Sequence, residues 1–288
     1  MLFSILKLLR ITHWTKNLLL FAGLVFSLNI FDPVYLSLSL SAFGIFCLIS
    51  SSGYIINDLF DLTYDKNHTI KSRRPIAAGL IQPGIAGLVS FILAAAGFGW
   101  AFYLKINFAY LCLFYYIMTF LYSAKLKHVV ILDVLIISAG FVIRAIAGAV
   151  IIDVQISKWL LICTIFLALF LALAKRLSEL NACESGKNIP RKSLEKYDTN
   201  LLTQLISISS SCALIGYTLY TVDDLTISKF ETIKLVYTLP FVIYGIFRYL
   251  YLIHRKNLGE YPEKVLLTDI PLLINVLLYG ITVVYILY

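Results

Sequence analysis

Charge is what this sequence has least of. Only 14% of its 288 residues are charged, against about 25% in an ordinary soluble domain. Polar stretches long enough to wrap a water-soluble core are missing as well. With 60% hydrophobic residues and a mean hydropathy of +0.88, a soluble globule would have nowhere to hide its apolar surface. The five cysteines (Cys47, Cys112, Cys163, Cys183, Cys212) show no CxxC or Cys/His spacing. That excludes a zinc ribbon or a disulfide scaffold and makes them packing residues. No Ser/His/Asp or Cys/His arrangement stands out, so nothing favours nucleophilic catalysis of the protease kind. The N-terminus has basic residues but no small-residue cleavage site followed by a polar mature region. Its first apolar run therefore reads as a retained helix rather than a signal peptide. No repeat, low-complexity tract or soluble domain interrupts the chain, and a single intramembrane domain over residues 1–288 is expected.

What is present is a series of apolar blocks. A spanning helix needs roughly 20 mostly apolar residues, and the sequence supplies nine such stretches, near 14–31, 34–57, 84–104, 107–123, 131–152, 158–176, 201–221, 233–253 and 269–287. The first is short enough to be tilted or partly interfacial. Asp32-Pro33 and Gln82-Pro83-Gly84 mark breaks by ordinary turn chemistry. The expected fold class is an all-α polytopic membrane bundle of about nine helices.

The connecting segments separate sharply by charge. Nineteen Lys and Arg residues fall on one side, including Arg10, Lys16, Arg73, Arg74, Lys127, Lys175 and Arg176; Lys105, Lys158, Lys229 and Lys234 fall on the other. Basic residues favour the cytoplasmic side. This predicts a multi-pass protein of the plasma (inner) membrane with its N-terminus inside and, after nine spans, its C-terminus outside. The net charge of +8 is then concentrated on one face, suited to anionic headgroups or to anionic substrates. No nucleic-acid partner is expected.

The second long apolar stretch runs into Asn57-Asp58-Leu59-Phe60-Asp61-Leu62-Thr63-Tyr64-Asp65. Spacings of three and four set Asp58, Asp61 and Asp65 along one helical face, with Asn57 beside Asp61. Carboxylates this close repel one another unless a cation sits among them. All-oxygen ligands suit a hard ion such as Mg²⁺, which keeps several waters and bridges to substrate phosphates. A solvated acidic patch at a helix end would look the same in isolation. Directly after it, however, come Lys66, Lys71, Arg73 and Arg74, in a segment ending Arg73-Arg74-Pro75-Ile76-Ala77-Ala78-Gly79. Metal on one set of oxygens and guanidinium forks on the others is what a diphosphate requires.

NDxxDxxxD followed by a basic segment ending RRPIAAG resembles the first signature of the UbiA superfamily. Four further stretches resemble one branch of it, the polyprenyl-phosphate phosphoribosyltransferases. They are Arg10 through Asn17 at the start, with its Trp14-Thr15-Lys16-Asn17 entry, Tyr122 through Lys127 with Asp133 and Arg144, Ala174 through Leu180, and Gly259 through Glu263 with Asp269 beyond. Together they cover nearly the whole chain. The resemblance implies a nine-helix transferase using Mg²⁺ held by Asn57, Asp58, Asp61 and Asp65. It also implies phosphoribosyl diphosphate as donor and a polyprenyl phosphate lipid as acceptor. The oligomeric state is not implied.

That donor carries a diphosphate and a separate 5-phosphate, and the acceptor brings another phosphate, so one metal cannot neutralise them all. Lys16, Arg73, Arg74, Lys127, Arg144, Lys175 and Arg176 are the cationic candidates, with Tyr122, Asp133 and Glu260 as further binding residues. Arg144 stands out, because an arginine inside a membrane helix costs about 2.5–3.5 kcal/mol even on a lenient scale. It should face a cavity or a partner, with Asp133 or Asp153 as the structural choice. Lys175 and Arg176, at the end of the stretch near 158–176, can equally snorkel to the interface. The superfamily's aromatic prenyltransferases carry a second acidic motif, DxxxD. Here Asp133 is followed four positions later by Ile137. Prenyl transfer from a polyprenyl diphosphate to an acceptor such as 4-hydroxybenzoate remains the alternative, and a transporter or scaffold the more distant one.

Overall fold

The structure, a computed structural model, describes residues 2–67, 71–184, 194–256, 265 and 268–288. All regular structure among them is helical. In chain order the α-helices are α1 (Leu2–Leu9), α2 (Phe21–Val25), α3 (Pro33–Phe60), α4 (Leu62–Lys66), α5 (Pro83–Leu104), α6 (Ile106–Ala124), α7 (Leu132–Ile151), α8 (Lys158–Glu184), α9 (Thr199–Val222), α10 (Asp224–Phe230), α11 (Leu239–Lys256) and α12 (Ile270–Leu287). Tighter 3₁₀ helix covers Ile11–Leu20 and Lys234–Thr238.

Eight helical segments among the described residues are long and apolar enough to cross a bilayer. They match the expected stretches from α3 onward, within a few residues at most ends. The ninth, near 14–31, differs: it is ten residues of 3₁₀ helix followed by the single turn and a half of α2. Two other ends also moved. The stretch 34–57 continues to Phe60, and 158–176 continues to Glu184. Hydropathy falls off after Ala174, but Lys, Arg, Leu and Glu are good helix formers and carry the helix onward.

The chain forms two compact units, one comprising most of Met1–Ile136 with Ile143–Gln155, the other Ile137–Val142 with most of Ile156–Ser185 and Leu194–Tyr288. In the first unit α3 is the axis. Asp32 caps it, its Oδ1 accepting from the backbone N–H groups of Val34 (2.8 Å) and Tyr35 (3.3 Å), and Pro33 occupies the first turn, where its missing N–H costs nothing. α5 and α6 pack on it around Ile45, Phe46, Ile49, Phe108 and Tyr115. Lipid gives helices no hydrophobic reason to associate, so close packing and hydrogen bonds must do it. Gly97 on α5 lets Ile49 in: a Cβ there would stand 2.8 Å from Ile49 Cγ1. Along the same helix pair, Ser52 and Ser90 donate reciprocally to each other's backbone carbonyls, at 2.8 and 3.1 Å.

The 3₁₀ segment is held just as tightly. A Cβ on Gly148 of α7 would lie 2.0 Å from the Leu20 carbonyl oxygen, and one on Gly23 would lie 3.0 Å from the backbone of Ala149. Only a bare Gly148 allows this backbone-to-backbone approach. In the second unit α8 and α9 pack side by side and α11 pairs with α12. Asp269 caps α12 while taking Arg248 in a two-pronged pair at 3.0 and 2.9 Å. Tyr217 bonds Thr238 (2.6 Å) and Tyr279 (3.2 Å). Among the described residues no disulfide forms.

Candidate active site

α3 ends where the acids begin, yet the helical hydrogen bonds carry on through the junction. Asp61 N–H donates to the Asn57 carbonyl (3.0 Å) and Asp65 N–H to the Asp61 carbonyl (2.8 Å). Helical phase is therefore kept from α3 into α4, and Asp58, Asp61 and Asp65 stay on one face, as their spacing predicts. Asp58 and Asp65 are buried, at 3% and 1% exposure. So much buried negative charge needs compensation, and three basic side chains supply it. Arg74 Nη1 bridges Asp58 Oδ1 (2.9 Å) and Asp65 Oδ2 (2.6 Å), Lys127 Nζ pairs with Asp61 Oδ1, and Arg10 Nη2 pairs with Asp58 Oδ1. Asn57 donates to Asp61 Oδ2 at 3.1 Å. Burial pushes the Asp65 carboxyl above its ordinary range; Arg74 pulls it back, and Asp58 and Asp61 push the same way as burial.

The constellation thus gathers Asn57, Asp58, Asp61, Asp65, Arg74 and Lys127 from the expected residues. Arg10 was missed, because nothing in its spacing separates it from a topology charge. Its guanidinium lies 5.2 Å from the Tyr54 ring centroid, and His13 meets that ring edge-on at 5.2 Å. Lys16 Nζ lies 3.4 Å from His13 Nδ1, which ties Lys16 to the same rim. Arg73 is exposed, Tyr122 half-buried and Asp133 fully buried.

Arg144 belongs to a different network. Its Nε donates to Asn17 Oδ1 (2.8 Å), its Nη2 to the Tyr115 hydroxyl (2.6 Å), and its guanidinium lies 4.7 Å from the Tyr115 ring centroid. Asn17 in turn donates to Ser50 Oγ (3.3 Å) and Cys47 Sγ (3.4 Å). Ser50 precedes Asp58 by about 12 Å of helix. Arg144 therefore clamps the 3₁₀ segment, and Asp153, one of its expected partners, pairs with Lys105. Asn17 was legible as the end of the Trp14-Thr15-Lys16-Asn17 motif, Tyr115 only as a polar residue in an apolar run. Lys175 and Arg176 lie in the second unit, two turns short of the end of α8. Arg176 is 2% exposed and pairs with Glu179, so it does not snorkel. Glu260 lies outside the described residues.

Among the described residues no three acidic, thiol or imidazole groups close on one point as a ready-made metal cage; basic side chains stand between the acids. The donor chemistry nonetheless fits a hard divalent ion. Three carboxylates and an amide offer oxygen only, and Asp65 Oδ1 is buried with no hydrogen-bond partner. A Mg²⁺ ion needs only one or two carboxylates when water and phosphate complete its octahedron.

Apolar helices long enough to cross a bilayer thus carry, at the end of one of them, a charge-dense cluster of carboxylates and guanidinium groups. The chain belongs to the UbiA prenyltransferase family, whose model matches residues 18–267, and is a multi-pass membrane transferase. It is 34% identical over 277 residues to the decaprenyl-phosphate phosphoribosyltransferase of Mycolicibacterium smegmatis, covering 92% of this chain and 86% of that one. It is 32% identical over 272 residues to the enzyme of the same name from Mycobacterium tuberculosis, covering 92% and 88%. A UbiA homolog from Archaeoglobus fulgidus, bound in its structure to GPP and Mg²⁺, shares the fold with a TM-score of 0.70 at 20% identity, over 98% of this chain and 99% of that one.

Proposed function

We propose that the chain, acting as a single transferase domain, moves 5-phosphoribose from phosphoribosyl diphosphate to a polyprenyl phosphate and releases pyrophosphate. The observation that carries this is the interleaving of Asp58, Asp61 and Asp65 with Arg74 and Lys127 at one helix end. The kinship to enzymes named for decaprenyl phosphate supports the choice of acceptor. Asn57, Asp58, Asp61 and Asp65 would hold Mg²⁺, which supplies charge neutralisation on the leaving diphosphate. Arg74 and Lys127 exchange their carboxylate partners for phosphate oxygens and stabilise the charge that builds as the anomeric C–O bond breaks. An oxygen of the acceptor phosphate forms the new bond to that carbon, and the pyrophosphate departs with the electron pair. The acceptor phosphate is already ionised near neutral pH, so no strong base is needed. Lys16, on the segment that follows Arg10, and Arg73, next to Arg74, would supply further phosphate contacts. The excess of Lys and Arg on one side supports a cytoplasmic placement for the N-terminus and this site, in the plasma (inner) membrane, with the C-terminus outside.

The test is pyrophosphate release by purified protein with polyprenyl phosphate and phosphoribosyl diphosphate, with and without Mg²⁺. Release needing both substrates and metal, with a ribosylated lipid product, is expected. Inactivity there, combined with prenylation of an aromatic acid from a polyprenyl diphosphate, would move the chain to the family's other chemistry.

A further inference from the structure

We propose that Arg10, seated on the Tyr54 ring, is a diphosphate-binding residue that works with Arg74 as a guanidinium pair; this rests on the transferase reading above. Four observations converge on it. Arg10 has a left-handed backbone (φ 51, ψ 50), a conformation that glycine takes freely and an arginine adopts against steric resistance. Arg10 is one of five such non-glycine residues among those described, and strain of this kind is enriched at functional sites. The guanidinium also has a fixed platform, the Tyr54 ring at 5.2 Å, itself braced by His13. Thirdly, Arg10 Nη2 and Arg74 Nη1 converge on the same oxygen, Asp58 Oδ1. With Arg74 also serving Asp65, the two guanidinium groups balance the two buried carboxylates and are held side by side on Asp58. Finally, among the described residues Asp58 is the only group to which the Arg10 side chain donates. One of its five N–H donors is thus engaged, and the side chain remains 16% exposed.

A pair of planar forks with unspent donors matches the two phosphoryl groups of a diphosphate, which a point charge cannot grip in the same way. The bland alternative is that Arg10 only neutralises buried Asp58. Arg10→Gly leaves Asp58 with Arg74 alone in either role, so stability does not separate them; the affinity of folded protein for a diphosphate does.

The experiment uses the full chain in nanodiscs, with Mg²⁺-pyrophosphate as probe, read by calorimetric titration and thermal melting. Wild type should bind. Arg10→Gly should bind at least tenfold more weakly at a temperature where melting shows it folded. Tyr54→Leu should weaken binding about threefold, and exposed Lys125→Gln should change nothing. Arg10→Gly with wild-type affinity overturns the proposal. If Arg10→Gly does not fold, Arg10→Lys decides, since it keeps the charge beside Asp58 but loses the fork; wild-type affinity in that variant also overturns the proposal. Failure of the wild type itself to bind Mg²⁺-pyrophosphate would overturn the transferase reading, and the Arg10 assignment with it. Weak binding by Arg10→Gly in a protein that proved inactive with phosphoribosyl diphosphate would support Arg10 as a ligand for another diphosphate donor.

Discussion

Lys127, in the turn after α6, pairs with Asp61 at the end of α3, 66 positions earlier in the chain. With Lys127 only 4% exposed, neither charge is easily resolvated if its partner is removed. Lys127→Met should therefore destabilise the protein by about 3 kcal/mol. Adding Asp61→Asn should recover part of that loss, with a coupling of about 1–3 kcal/mol in a double-mutant cycle of melting measurements. Asp61→Asn alone should abolish turnover in protein that still inserts. Additive stability changes, or retained metal-dependent activity in Asp61→Asn, would remove Asp61 from the site.

Arg144→Lys keeps the charge and loses the geometry. An ammonium cannot reach both Asn17 and Tyr115 as the guanidinium does, so one charge-assisted bond is lost, about 2 kcal/mol. Because Asn17 anchors the segment carrying Lys16 and Arg10, activity should fall by an order of magnitude or more. Wild-type kinetics and melting in this variant would show that the clamp is dispensable.

Gly148→Ala should be among the most damaging single-methyl changes in the first unit. The added carbon collides with the Leu20 carbonyl oxygen, and backbone rather than a flexible side chain must give way. Overpacking of this kind costs about 3 kcal/mol. Gly99→Ala is the control, since nothing lies within 4 Å of a Cβ there. Equal melting temperatures for the two variants would contradict the packing.

Asp65 gives a pH signature. Its folded-state acidity is weakened by burial, so between the ordinary value of 3.8 and the raised folded value the native state binds more protons than the unfolded one. Stability therefore falls as pH rises through that window. Asp65→Asn should flatten this part of the profile, measured by melting in the presence of a chelator, while activity with metal is lost. A variant with the wild-type slope would assign the pH dependence elsewhere.

The site's acidic half was plain in the sequence because it depends on local spacing alone. Three carboxylates at helical intervals fall on one face wherever the helix continues, and the hydrogen bonds through Asp61 show that it does. Helix starts at Asp32-Pro33 and Gln82-Pro83 were readable for the same reason, since caps and proline act within a single turn. The cationic half was only partly readable. Arg74, Lys127 and Arg10 all sat in motifs, but Arg10 reaches Asp58 across 48 positions, and a distance in the fold leaves no mark in local composition, so its role was not readable. The 3₁₀ form of Ile11–Leu20 was hidden for a similar reason. Hydropathy counts apolar residues and is blind to which carbonyl each N–H finds. What holds that segment is Gly148, far along the chain.

That dependence sets an order of events during synthesis. A ten-residue 3₁₀ run is an unusually long one, and lipid offers its backbone no help. Ile11–Val25 can take its final form only after Gly148 has been made and α7 has arrived beside it. At about 5–20 residues per second, the segment that carries Arg10 and Lys16 waits on the order of ten seconds in a provisional state. Chains halted before α7 should therefore leave their first thirty residues open to added protease, and the charged end of α3 would be assembled without its N-terminal cover until then.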